Sequence, residues 1–463
     1  MTTPPRPPLR VAIIGAGPAG IYAGNILHRE LSALGRPASI DLIDSLPAPY
    51  GLIRYGVAPD HPRIKGIVNS LHEMLDAGTM RFFGNVTFGT DVFLDDLRTH
   101  YHAVIFATGA IRDAELNIPG VGLPGSFGAA DFVSWFDGHP DAPRNWPLDA
   151  SSVAVLGNGN VALDVARMLA KHADDLLVTD IPANVYEALA SSRVTDVHVF
   201  GRRGPADVKF TPIELRELAE VPDVDVVLHE EDFVLDDEAI ARVAANNQLK
   251  VMTRTLQSWV GRPSTGASRH LHLHFFHAPV EISGEHRVEG MRFKRTRLAA
   301  GGSVVATGEF IDYQVQAVYR AVGYFGSPLP GLPFDSVRGV IPNEAGRILA
   351  ASGDAQAGLY ATGWIKRGPV GLIGHTKSDA AETITKLIED LDALCESLVS
   401  DQTAFVDLLD ARGVEYTTWV GWLKLDAHER SLGDADGSPV DRERIKVVDR
   451  DEMVVRSRGE VLA

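Results

Sequence analysis

Two glycine-rich segments carry the spacing that chemistry with a dinucleotide requires. Gly15, Gly17 and Gly20 follow the apolar run Val11–Ile14 and precede a stretch of helical periodicity over Ile21–Leu34. In such a turn the first glycine permits the bend and the second lets backbone approach a pyrophosphate. The third lets helix and strand pack closely, and the helix N-terminus faces the phosphates. Asp44 closes the next run, Ile40–Ile43, where a carboxylate can accept hydrogen bonds from ribose hydroxyls. An acid there fits a free 2′-hydroxyl, hence FAD or NAD. Gly157, Gly159 and Ala162 repeat the pattern after Val153–Leu156, but the strand that follows, Val197–Phe200, leads to Arg202 and Arg203. Two guanidinium groups at that corner match a 2′-phosphate, hence NADP.

A flavin and a nicotinamide on one chain imply hydride transfer between them, and the electrons then need an exit. Cys395 is the single cysteine, so no cysteine pair, cysteine zinc site or iron–sulfur cage can be built within the chain. The acceptor is therefore expected to be external. Trp364–Ala380 contains Gly368, Gly371 and Gly374 and leads into a helical pattern over Ile373–Leu394. Backbone N–H groups at a helix start could stabilise negative charge on a reduced flavin, and Trp364 could stack near it. His270, His272 and His274 alternate at strand spacing and would share one side. They read as the polar face of an exposed strand, and no metal is expected.

These residues need two βαβ units to position them, and the chain is long enough. It has 463 residues, room for two or three domains at about 150 each. The expected fold is α/β, with two Rossmann-like dinucleotide-binding domains. Val104–Gly109 and Gly358–Gly363 both end in Ala-Thr-Gly, which suggests that both ends of the chain build one domain around an inserted second. The reading assigns residues 1–10 to a disordered leader, 11–110 and 326–463 to the FAD domain, and 111–325 to the NADP domain, with 111–150 as a linker holding one short helix. Apolar residues make up 45% and charged residues 23%, ordinary for a globular chain. The net charge of −17 argues against nucleic-acid or anionic-membrane binding. No apolar run reaches membrane-spanning length, and the leader lacks a targeting pattern, so a cytoplasmic location is expected.

The motifs together resemble the adrenodoxin reductase family of NADPH–ferredoxin reductases. The resemblance rests on Tyr50–Pro62, Gly157–Asp164, Arg202–Pro205, Phe210–Leu218 and Trp364–Ala380, which span nearly the whole chain in the family's order. It implies a glutathione-reductase-like two-domain flavoprotein. FAD would lie on Gly15, Gly17, Ala19, Asp44, Leu52, Val86, Trp364, Gly371, Leu372 and Ile373. NADP would lie on Asn158, Gly159, Asn160, Val161, Arg202, Arg203, Glu214 and Gly371. His61 and Glu214 are the ionisable residues the family keeps near the flavin–nicotinamide contact, with orienting and electrostatic roles. The implied partner is a ferredoxin-type iron–sulfur protein, with Arg216, Lys366 and Arg367 as docking candidates. The alternative is the reductase subunit of a larger flavoenzyme such as glutamate synthase. Asp44 departs from the family's usual Glu, and His375-Thr376 from its usual Thr-Asn or Thr-Thr.

Overall fold

The computed structural model describes residues 8–299, 302–369, 374–394, 399 and 401–459. The chain forms two compact units, one comprising Met1–Arg112, Asp137–Asp141 and Tyr324–Ala463, the other Asp113–Phe136 and Ala142–Gly323.

The first unit is organised by a seven-stranded sheet. Its order is Asn343–Glu344, Arg347–Leu349, Ala355–Ala361, Ala103–Phe106, Leu9–Ile14, Ala38–Ile43, Arg81–Phe83. The last five run parallel. Side chains alternate across a strand, so an all-apolar strand needs cover on both faces. Val11 and Ile13 join one buried cluster with Leu42 and Ile105, while Ala12 and Ile14 join another with Ile43 and Phe106. The first strand takes in Leu9 and Arg10, which corrects the leader reading at its last two residues. Leu9 is fully buried. The Arg10 guanidinium lies over the Tyr101 ring and donates to the Val399 and Asp401 carbonyls at 3.1 and 2.6 Å.

The second unit carries a six-stranded, all-parallel sheet in the order Ser126–Gly128, Ala317–Arg320, Ser152–Leu156, Asp196–Phe200, Arg269–His274, Val224–Leu228. An antiparallel sheet of His277–Ser283, Gly290–Leu298 and Val304–Tyr313 adds to it, with the Phe200 and Phe293 rings stacked 4.0 Å apart. That packing corrects the exposed-strand reading of the alternating histidines. His274 is only 3% exposed, because Tyr313 and His277 lie against its ring.

The stretch 111–150 does contain a short helix, Ala129–Phe136, but it is more than a linker. Phe132, Trp135 and Trp146 pack together with Tyr319, whose hydroxyl accepts the Trp146 indole N–H at 3.3 Å. Asp137–Asp141 belongs to the first unit, where Lys446 donates to the Asp137 carbonyl at 3.0 Å and Arg450 pairs with Asp141 at 2.9 Å. No helix among the described residues is long and apolar enough to cross a membrane.

Candidate functional site

The first cradle is shaped by what cannot be added to it. A Cβ on Gly20 would stand 1.9 Å from the Gly15 carbonyl oxygen, and one on Gly15, at φ +112°, 2.5 Å from that of Ala107. The helix Pro18–Ala33 starts from Gly17 with no side-chain cap and no acid in its first turn, and Pro18 opens it. Its leading N–H groups therefore have no carboxylate of their own chain to serve, the arrangement that binds phosphate. Asp44 sits at the sheet corner beside this turn. Its carboxylate accepts the Ala16 N–H at 2.6 Å and the Leu46 N–H at 2.9 Å. Burial pushes the Asp44 carboxyl up from the usual range, against the downward pull of those two N–H groups and Arg450. Val86 donates its N–H to the Asp44 carbonyl at 2.9 Å, so its place in the set is a backbone one.

Two further loops reach this turn. Tyr50 donates its N–H to the Ala16 carbonyl at 2.9 Å. Gly51, at φ +49°, comes so close that its Cβ would lie 3.1 Å from Gly17 Cα. Leu52 begins the short helix Leu52–Tyr55 that follows. This loop is pinned by Arg54, whose guanidinium is paired with Glu429 in a buried contact and lies over the Trp422 ring. Gly363, at φ +75°, approaches Ala19, where an added Cβ would meet Ala19 Cβ at 2.7 Å. Trp364 opens the next short helix and is half-buried, 6.5 Å from the Tyr324 ring. The structure thus gathers Gly15, Gly17, Ala19, Asp44, Leu52, Val86 and Trp364 around one turn. Gly371, Leu372 and Ile373 lie outside the described residues.

Lys366 requires a correction as a docking cation. It is 6% exposed and turns inward to Asp379 at 3.1 Å and Glu382 at 2.5 Å. The short helix carries it beneath the loop, where only a carboxylate partner makes a buried ammonium tolerable. Arg367 is partly buried, with Asp379 at 3.7 Å. Gly51, Gly363 and Asp379 stand in the sequence only as members of longer motifs, with no site role expected of them. Asp379 accepts the Gly363 N–H and the Thr362 hydroxyl, and its signal was a lone acid one turn into the helix after a glycine loop.

The second cradle repeats the first with one substitution. A Cβ on Gly157, at φ +143°, would lie 2.2 Å from the Ala321 carbonyl oxygen, while Ala162 occupies the third position 3.5 Å from that point. Gly159 faces open space, with nothing within 4 Å of an added Cβ. The helix Asn160–Ala170 starts from it without a side-chain cap or first-turn acid. Asn158 packs against Gly201, and Val161 lies in the helix's first turn. The Asn160 side chain donates to Glu214 at 3.3 Å and accepts the Thr211 N–H at 3.2 Å. At the opposite corner Arg202 is exposed, with its carbonyl holding the Thr296 hydroxyl at 2.8 Å. Arg203 is half-buried, and its guanidinium stands 3.9 Å from Asp207. His61 immediately precedes the helix Pro62–Lys65 in the first unit, without a side-chain cap bond, and Glu214 lies in the first turn of Pro212–Ala219 in the second.

Both cradles share a close-packed first glycine and an uncapped helix start, the features a dinucleotide needs; the space above the second glycine is open at Gly159, whereas at Gly17 the Gly51 backbone stands 3.8 Å from an added Cβ. Two such cradles on one chain define a dinucleotide-dependent oxidoreductase. Residues 9–231 match the pyridine nucleotide-disulphide oxidoreductase family, although this chain has only one cysteine. NADPH-ferredoxin reductase FprA of Mycobacterium tuberculosis is 40% identical, over 96% of this chain and 98% of that protein. The mitochondrial NADPH:adrenodoxin oxidoreductase of Bos taurus is 37% identical, over 96% and 91%. The solved structure of Mycobacterium tuberculosis FprA in complex with NADPH matches with a TM-score of 0.90 at 38% identity, over 98% of this chain and all of that one. The chain belongs to the adrenodoxin reductase family of NADPH–ferredoxin reductases.

Proposed function

We propose that the protein passes electrons from NADPH through FAD to a ferredoxin-type iron–sulfur protein. The observation that carries this reading is the contrast between two equivalent sheet corners, Asp44 in one unit and Arg202–Arg203 in the other. A carboxylate there accepts from ribose hydroxyls and repels a 2′-phosphate, whereas a guanidinium pair attracts it. FAD therefore belongs on Gly15, Gly17, Ala19, Asp44, Leu52, Val86 and Trp364, and NADP on Asn158–Val161, Arg202, Arg203 and Glu214. FAD held on these residues would supply the redox chemistry, hydride acceptance from the nicotinamide and electron release to a one-electron acceptor. The chain's own residues bind and orient: the uncapped helix starts take the pyrophosphates, and Asn160 holds Glu214 in place. His61 and Glu214 act by orientation and charge, since hydride transfer needs no protein base. The relatives carry the names of ferredoxin and adrenodoxin reductases along nearly their whole length, which does not favour a subunit of a larger flavoenzyme.

For docking, Arg216 is the remaining strong candidate. It is exposed on the helix Pro212–Ala219 and shares a groove with Leu215, Val251, Trp259 and Arg262. Two guanidiniums, Arg216 and Arg262, beside an apolar floor, with Glu220 as the one acid in the lining, suit an acidic partner, and a chain of net charge −17 needs a local patch to receive one. Donor, acceptor and reductase then share one compartment, on this proposal the cytoplasm. Anaerobic titration tests the whole sequence of transfers. Stoichiometric NADPH should bleach the flavin, and oxidised ferredoxin should restore its colour. A chain that retains no FAD, or whose reduced flavin no ferredoxin reoxidises, overturns the proposal.

A further inference from the structure

Strand register in the second unit assembles a group of imidazoles that no role in dinucleotide binding explains. Asp196–Phe200 and Arg269–His274 pair in parallel with His198 opposite His272 and Phe200 opposite His274. Residues two apart share a face, so His198, His272 and His274 stand together. The His198 and His272 rings stack 4.3 Å apart, and His198 Nδ1 lies 3.0 Å from His274 Nε2. The three imidazoles each bring a ring nitrogen within 4.8 Å of the other two.

We propose that His198, His272 and His274 form a binding site for a first-row divalent transition ion of the zinc type. Two nitrogens bound to one tetrahedral zinc, each at about 2.0–2.1 Å, stand roughly 3.3 Å apart, close to the His198–His274 separation. Rotation of the His272 ring closes the third side. The outer contacts are those that orient metal-bound imidazoles. His272 Nε2 lies 3.3 Å from the Asp196 carboxylate, which leaves Nδ1 toward the ion, and His274 Nδ1 lies 3.4 Å from the Tyr313 hydroxyl, which leaves Nε2. This acidic partner was not evident in the linear sequence, because Asp196 and His272 belong to different strands. The set of three leaves a fourth position for water, the arrangement of an open zinc site. His272 is 18% exposed and provides the entry path.

Neutral imidazole is the ligand form. The ion would replace the His198–His274 hydrogen bond, and one ring would change tautomer without a net gain or loss of protons.

The test uses the flavin-loaded protein, stripped of metal by a chelator and titrated calorimetrically with Zn²⁺ at neutral pH. One Zn²⁺ per chain is expected. His272→Ala should abolish that binding. Asp196→Asn, at a half-exposed position that leaves the three ligands intact, should weaken it roughly tenfold or more. His286→Ala, at a fully exposed histidine outside the cluster, should change nothing. X-ray absorption at the zinc edge of the wild-type protein supplies a readout independent of any variant, with three imidazole nitrogens expected at about 2.0–2.1 Å. Failure to bind zinc, binding that survives His272→Ala, or a coordination shell of water and carboxylate oxygen would each overturn the assignment. NADPH-dependent ferricyanide reduction should be the same in all these variants, because none of these residues lies in either cradle.

Discussion

Lys366 Nζ lies 3.1 Å from the Asp379 carboxylate, with both side chains less than one-tenth exposed. The same carboxylate accepts the Gly363 N–H, so one buried ion pair fixes the backbone that approaches Ala19. Asp379→Ala leaves an ammonium buried with only the half-exposed Glu382 to answer it. Breaking a buried pair from one side should cost roughly 3–5 kcal/mol, read as a fall in the denaturant midpoint, and FAD should be lost more readily on dilution. Lys366→Met combined with Asp379→Leu should recover much of the stability but not the flavin retention, because the Gly363 N–H still lacks its acceptor. Recovery of both would show that Asp379 serves only as a counter-ion.

Gly157 and Gly159 should respond oppositely to alanine. At Gly159 a methyl meets no protein atom, and the φ of −102° suits any residue. Gly159→Ala should therefore melt like the wild type while the KM for NADPH rises roughly tenfold or more, equivalent to about 1.4 kcal/mol of lost binding. Gly157→Ala would drive a Cβ against the Ala321 carbonyl at a φ that L-residues rarely adopt, and should destabilise the fold itself. Unchanged kinetics in a folded Gly159→Ala protein would place the pyrophosphate elsewhere.

Arg202 and Arg203 are expected to choose between the nicotinamides. Each charge-assisted hydrogen bond to a 2′-phosphate contributes about 1.5–3 kcal/mol. Replacing both with alanine should raise the KM for NADPH by roughly two orders of magnitude and leave NADH nearly unchanged. Equal losses with the two nucleotides would contradict the assignment.

Arg216→Glu separates docking from chemistry. Among the described residues no carboxylate lies within ion-pair distance of Arg216, and Glu220, one turn on, is exposed. NADPH-to-ferricyanide activity should persist, because a small acceptor needs no docking surface. Ferredoxin-dependent cytochrome c reduction should fall most at low salt, where charges act beyond the ~8 Å screening length of physiological ionic strength. Survival of both activities rules out the docking role, and loss of both makes Arg216 structural.

The histidine cluster also sets a pH dependence in the metal-free protein. His198 is held down to about 4, first by burial and then by His272, against the opposing pull of Asp196. Between that value and the ordinary 6.5 the unfolded chain binds the proton and the folded chain does not. Stability is thus full above about pH 6.5 and drains away as pH falls toward 4. Each pH unit crossed removes about 1.36 kcal/mol, so the whole interval removes up to about 3 kcal/mol. Denaturant midpoints measured from pH 7 to pH 4 should fall, and His198→Gln should flatten the fall. An identical slope in the variant would assign the loss to other groups.

Local rules made the two cradles legible in the sequence. A tight turn, a pyrophosphate approach and a close helix crossing each demand glycine or alanine within a few residues, so Gly15, Gly17, Gly20, Gly157, Gly159 and Ala162 announced themselves. Asp44 and Arg202–Arg203 follow one strand later, again at fixed spacing. Tertiary structure alone decided the rest, because those partners meet through sheet register and long-range packing. Arg10 became part of a strand through carbonyls 389 and 391 positions away, and Arg54 fixes its loop through Glu429, 375 positions on. Lys366 reads as a surface cation in the linear chain, but its short helix turns it toward Asp379, and a buried ammonium persists only where such a carboxylate is waiting. The alternation His270, His272, His274 was visible as a pattern. That it faces His198 and Asp196 under the cover of Tyr313 and His277 followed only from the parallel register of two strands and the small sheet packed against them.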